Sequence, residues 1–355
     1  MDKRWQELAE VLVNYSTQVR RGERVMIAMH EVETLPMARA VYAAAVRAGA
    51  LVQVQFLSDY FRHALLRDGS PEQIAWLPEI EAYGMRWADV YFGLRGAHNP
   101  YELSDIPPDR LSLHQQAQGK VSALRWEHTR WCLVRVPNAS LAQQAGVDEE
   151  TLLDAFFRAC LRDWAAESGR WQALARRLEA GRELRLVGRD TDLRFSVAGR
   201  KWLVGAGRMN MPDGELYTAP VTGSVNGHIR FEFPGVFGGR AVSDIRLAWQ
   251  DGLLVSASAS DNEDYLRQVL ATDEGAGRVG EFAIGTNAGW DLFCRDMLLD
   301  EKIGGTVHLA LGRSYPECGG DNRSAVHWDI VKDTRQEGAL YLDGVKVFEA
   351  GRFLV

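Results

Sequence analysis

The sequence predicts an α/β N-terminal domain built on a parallel sheet, then an α+β C-terminal domain with a mainly antiparallel sheet. Three observations lead there. Up to about residue 182, short apolar runs alternate with helical-period segments, the order that lays helices over a parallel sheet. Beyond that point, apolar and polar residues alternate with a period of two and glycine becomes dense, as in antiparallel strands with one buried face. At 355 residues, with 46% apolar and 25% charged residues, the chain is long for one core and comfortable for two. The expected division is 1–182 and 183–355.

Residues 3–18 form an amphipathic helical pattern, followed by a turn at Arg20-Arg21-Gly22-Glu23. RVMIAM (24–29) reads as a strand, the alanine-rich stretch 33–48 as a helix ending at Gly49, and LVQVQF (51–56) as the next strand. Helical periodicity over 58–84 breaks near Gly69-Ser70-Pro71; ADVYFGL (88–94) and WCLVRVP (131–137) are further strands, and 148–179 is helical. In the second half, ELRLVG, DLRFSVAG, KWLVGAG, IRFEF, IRLAWQDGLLVSASAS and GALYLDGVKVFEAGRFLV are strand-like. Asp251-Gly252 and Asp343-Gly344 each sit between two such runs, a hairpin signal. Helices are expected at 262–271 and near 288–297.

A net charge of -7 and the lack of a basic stripe argue against nucleic acid as a partner. The N-terminus carries charges inside its apolar pattern, so it does not read as a signal peptide, and no run reaches the ~18 apolar residues of a membrane span. Cys132, Cys160, Cys294 and Cys318 form no CxxC pair and read as reduced thiols of a cytoplasmic protein. No GxGxxG or GxxxxGK[ST] follows a strand, so nucleotide binding is unsupported.

The chemistry-bearing residues cluster late. His327 and Asp329 lie two apart in the strand-like SAVHWDIV, so both face one side and can converge on one ion. His308 sits in the apolar run GGTVHLALG. Glu281, inside RVGEFAIGTN, is costly to bury unless paired or metal-bound. Pro212-Asp213-Gly214 is turn chemistry that delivers Glu215 at a strand start. Tyr315 follows Gly312 and is placed to donate to an oxyanion. Glu301 is a further ligand candidate, although Asp300-Glu301-Lys302 also reads as a solvated charge run. Carboxylates and imidazoles without thiolates suit Zn²⁺, Co²⁺, Mn²⁺ or Fe²⁺.

MNMPDGELYTAP, GRVGEFAIGTN, LLDEKIGGTVHLALGRSY and NRSAVHWDIV, with the opening VNYSTQVRRGERVMI, together resemble the aminopeptidase T, aminopeptidase S and PepS family of metallopeptidases. The resemblance spans most of the chain and is densest over 208–330. It implies a cytoplasmic homodimeric aminopeptidase acting on short peptides through two divalent ions (Zn, Co or Mn). On that resemblance Glu215, Glu281, His308, His327 and Asp329 occupy ligand positions and Glu301 an acidic position. Glu281 is implied as the bridging carboxylate and Tyr315 as the active-site tyrosine; Glu281, with Glu215 as the alternative, is expected to accept the proton of a metal-activated water. The stretch between His308 and His327 is shorter than expected of the peptidases. A second reading on the same scaffold is a ring-cleaving dioxygenase of the 2,5-dihydroxypyridine type, with one Fe²⁺ held by His308, His327 and Asp329. A third is a non-catalytic protein that kept the fold.

Overall fold

The computed structural model of the chain describes residues 2–125 and 128–354. Its contacts divide the chain into two compact units: Met1–Leu161 with Gly207–Pro212, and Arg162–Ala206 with Asp213–Val355. The division expected after residue 182 differs in two places: the helix Trp164–Glu179, which packs on the strand Leu203–Gly205, falls in the second unit, and Gly207–Pro212 falls in the first.

The first unit holds a five-stranded parallel sheet in the order Leu51–Leu57, Arg24–His30, Val90–Arg95, Arg130–Arg135, Asn210–Met211. Its inner strands are continuous apolar runs because both faces are covered, and Val25, Ile27, Val90, Phe92, Cys132 and Val134 are buried. The helix Leu35–Arg47 turns Val41, Ala44 and Ala45 inward. The pattern over 58–84 resolves into helices Asp59–Asp68, Pro71–Ala75 and Glu79–Trp87. Ser70 and Gln73 form a capping box with Pro71 behind it, which starts a new helix where sequence showed only a break. The first helix runs Arg4–Glu10 and continues as a π-helical turn, Val11–Ser16. A helix without counterpart in the sequence reading, Pro108–Ala123, buries only His114, Ala117 and Val121, too sparse an apolar stripe to be read from periodicity.

The second unit contains an eight-stranded antiparallel sheet running from Leu253–Ser258 to Arg352–Phe353. Its two expected hairpins are present: Asp251 and Gly252 (φ 49° and 72°) and Asp343 and Gly344 (φ 50° and 81°) take the left-handed conformation such turns require. A second, five-stranded antiparallel sheet has the order His327–Lys332, Val307–Gly312, Val279–Gly285, Glu215–Thr218, Leu203–Gly205. Phe282 of this sheet meets Phe195 of the larger one at 5.0 Å between ring centroids. The helix Glu263–Leu270 agrees with expectation. The helix expected near 288–297 does not form. Asn287 pairs instead as an isolated bridge with Ile303, its side chain accepts from Gly289 N, and only Met297–Asp300 is helical. Side-chain capture of a nearby N–H by Asn competes with the helix.

Candidate metal centre

Cross-strand partners in an antiparallel sheet point to the same face. The register pairs Gly285 with Glu215, Ala283 with His308, Ala310 with both Glu281 and Asp329, and Gly312 with His327. Glu215, Glu281, His308, His327 and Asp329 therefore share one face of the five-stranded sheet. Between them stand Ala283, Ala310, Gly285 and Gly312, small residues that leave room above the strands. The intervening positions, Leu216, Phe282, Ile284, Leu309, Leu311, Trp328 and Ile330, are fully buried on the opposite face. The alternation that fills the core thus also lines up the donors. Two glycines secure it. Gly280 marks a register shift just before Glu281, and a Cβ there would lie 2.3 Å from Gly312 O. Gly214 has φ 130°, and a Cβ there would lie 2.9 Å from Asn287 N. This close approach fixes the turn that delivers Glu215.

Donor atoms of Glu215, Glu301 and His308 lie within 4.8 Å of one another, as do those of Glu281, His327 and Asp329. The two trios adjoin. His308 Nε2 is 3.5 Å from Glu215 and 3.8 Å from Glu281, and His327 Nε2 is 3.6 Å from Glu281 and 3.5 Å from Asp329. His327 Nδ1 donates to Arg313 O at 2.8 Å, which turns Nε2 toward the carboxylates. The hydroxyl of Tyr315 lies 3.4 Å from His327 Nε2. Gly312 (φ 92°) turns the chain, and Asn322 bonds Gly312 O at 2.6 Å and Gly275 O at 2.9 Å, pinning the short loop that carries Tyr315.

Burial pushes the Glu281 carboxyl well above its usual range, and Asp329 beside it pushes the same way. Burial also raises Glu215, against the opposing pull of Lys302, and holds Glu301 at about 7. For His327, burial disfavours the charged ring, but Asp329 and Glu281 outweigh it and the net shift is upward. The Tyr315 phenol is raised by burial and by Glu281 and Asp329, so it stays a donor. Both ring nitrogens of His308 and Asp329 Oδ1 are buried without a hydrogen-bond partner. Buried donors in surplus of negative charge, two of them orphaned, fit divalent cations.

All seven residues singled out in the sequence meet here. The reading of Asp300-Glu301-Lys302 as a solvated run is overturned: Asp300 is 4% and Lys302 0% exposed. Asp300 accepts from Cys294 N at 2.7 Å. Lys302 is the residue the sequence reading missed. Its Nζ lies 2.6 Å from Glu215, 2.7 Å from Glu301 and 3.7 Å from Asp213. The available signal was the tight apolar bracket, Leu299 before the charges and Ile303 after them. Cys318 is buried and burial pushes its thiol up to about 12, consistent with a small filler rather than a thiolate ligand.

The model of the thermophilic metalloprotease (M29) family matches residues 1–353. The chain belongs to the thermophilic metalloprotease (M29) family. Among the curated relatives of this M29 chain is aminopeptidase T of Thermus thermophilus, 29% identical over an alignment covering 99% of this chain and 98% of the relative. Aminopeptidase 2 of Geobacillus stearothermophilus is 25% identical, with 97% and 94% covered. The solved structure of wild-type AmpT from Thermus thermophilus superposes with a TM-score of 0.86 at 27% identity, covering 99% of both chains. The 2,5-dihydroxypyridine dioxygenase of Pseudomonas putida KT2440 gives 0.64 at 16% identity, covering 99% of this chain and 97% of that one, and shares the fold alone. This M29 chain is a metal-dependent hydrolase of the metallo-aminopeptidase class.

Proposed function

We propose that the enzyme removes the N-terminal residue of short peptides and that the two trios hold two divalent ions: Glu215, Glu301 and His308 one, Glu281, His327 and Asp329 the other. Zn²⁺, Co²⁺ and Mn²⁺ suit such oxygen and nitrogen donors. The observation that carries this reading is the adjacency of the two trios: five of the six residues share one sheet face, Glu301 joins them from the end of the helix Met297–Asp300, and the trios meet at His308 and Glu281, 3.8 Å apart. Bound there, such ions supply Lewis acidity for the scissile carbonyl and lower the pKa of a water.

The chain's own residues do the rest. Glu281 is the member of its trio that reaches toward the other, 3.6 Å from His327 and 3.8 Å from His308. It takes the proton of the attacking water and returns it to the leaving amine. Tyr315, kept protonated by burial and by its carboxylate neighbours, donates to the oxyanion that develops on the carbonyl oxygen. The excess of buried carboxylates attracts the free α-ammonium of the peptide, which explains a preference for chain ends. A homodimer in the cytoplasm completes the proposal; four buried cysteines with no CxxC pair suit a reducing compartment.

Glu281→Gln tests the role assigned to Glu281. The variant should fold with unchanged circular dichroism while kcat falls by at least about 100-fold, the size of a general-base contribution. Turnover within a factor of about three of the parent would refute that assignment.

A further inference from the structure

The first unit contains a cavity of about 210 Å³ that the catalytic centre does not use. Its wall includes His30, Leu57 and Arg95, the last residues of three neighbouring parallel strands. The Arg24–His30 strand has Leu51–Leu57 on one side and Val90–Arg95 on the other, so the chain leaves it in one direction and then crosses to the opposite side. A crevice at the carboxyl ends of strands, where the strand order reverses, is where open α/β sheets bind ligands.

From those ends the cavity extends along the sheet face past Gly93 to Tyr91, near the start of its strand, and its side chains are those of an anion site. Arg125, 8% exposed, lines the cavity just beyond the helix Pro108–Ala123. Its guanidinium lies over the rings of Tyr91 and Trp131, at 5.4 Å and 5.2 Å from their centroids. Its Nη1 is held by Ser122, and its buried Nε has no hydrogen-bond partner. Burial and the nearby Arg95 disfavour its charge while Tyr91 favours it, and among the described residues no carboxylate is in the set of groups acting on it. Arg95, exposed, lines the same cavity. Two guanidiniums that repel each other, one of them desolvated with no counter-ion among the described residues, are a costly arrangement that an anion relieves. The acidic group in the wall, Glu81, has its carboxyl raised by burial. It therefore opposes an anion less than an exposed carboxylate would. Gln118 and Ser122 add neutral polar groups to the same wall.

We propose that this cavity binds a small oxyanion, a carboxylate or a phosphate, held by Arg125 from within and by Arg95 from the solvent side. The site is separate from the catalytic centre and does not depend on the role given to that centre.

Isothermal titration calorimetry of the full-length, metal-loaded protein with inorganic phosphate and with succinate tests it, using the parent, Arg125→Gln, Arg95→Gln and Glu281→Gln. Expected is one saturable site for at least one probe, weakened about tenfold or more in both arginine variants and unchanged in Glu281→Gln; the probe that binds tells carboxylate from phosphate. If Arg125→Gln fails to fold, Arg95→Gln, altered on the surface, carries the test. The proposal is overturned if neither probe binds the parent, if the arginine variants bind as the parent does, or if binding disappears only in Glu281→Gln, which would place the anion at the metals.

Discussion

Lys302 gives one trio a fixed positive charge before any metal arrives. With its Nζ 2.6 Å from Glu215 and 2.7 Å from Glu301, it holds two buried carboxylates together and competes with a cation for them. Lys302→Met should therefore lower the melting temperature of the metal-free protein, because breaking a buried pair from one side costs about 3–5 kcal/mol. It should also tighten the weaker of two metal-binding steps. Calorimetric melting and a chelator-competition titration read the two effects, and a variant that leaves both unchanged would remove Lys302 from the centre. Tyr315→Phe should cut kcat by about 100-fold, the cost of losing an oxyanion donor, with metal content unaltered. A loss of bound metal instead would show that the phenol acts structurally. The two-residue spacing of His327 and Asp329 was legible because a strand imposes it. Lys302 was not, since a charge between charges reads as solvated until Asp213, Glu215 and Glu301 are brought around it from separate segments.

Strand alternation is what makes the centre, and its weak points are the glycines. Gly214→Ala would place a Cβ 2.9 Å from Asn287 N, at φ 130°. Strain of this kind costs of order 1–3 kcal/mol. Its expected signature is a lower melting temperature together with a reduced metal content, because the same turn delivers Glu215. Retained metal content would mean that Glu215 is positioned independently of the turn. At this scale most of the fold was readable. Period-two patterning marked the second half, and Asp-Gly marked the two hairpins. The helix Pro108–Ala123 was not readable because it buries so few apolar residues, and the helix expected near 288–297 gave way to the local hydrogen bonds of Asn287. The bulge at Gly280 was equally invisible, since it depends on the partner strand rather than on its own residues.

For the molecule as a whole, the buried carboxylates make stability depend on metal and on pH together. The Glu301 carboxyl stands at about 7 in the fold against about 4.3 when exposed. Between those values the folded state binds more protons than the unfolded chain, so the metal-free protein should lose stability as pH rises from about 4.5 to about 7. Added Zn²⁺ or Mn²⁺ should reverse that trend by binding the ionised carboxylates. Melting curves across this range with and without metal check it, and a metal-free protein that gains stability over the window would contradict the sign. The most direct test of the two-trio centre is metal content per chain after chelation and re-metallation, with cleavage of Leu-p-nitroanilide followed in parallel. About two ions per chain, with cleavage rising as they bind, is the expected result. One iron per chain, no cleavage and oxygen uptake on a dihydroxylated aromatic ring would contradict it.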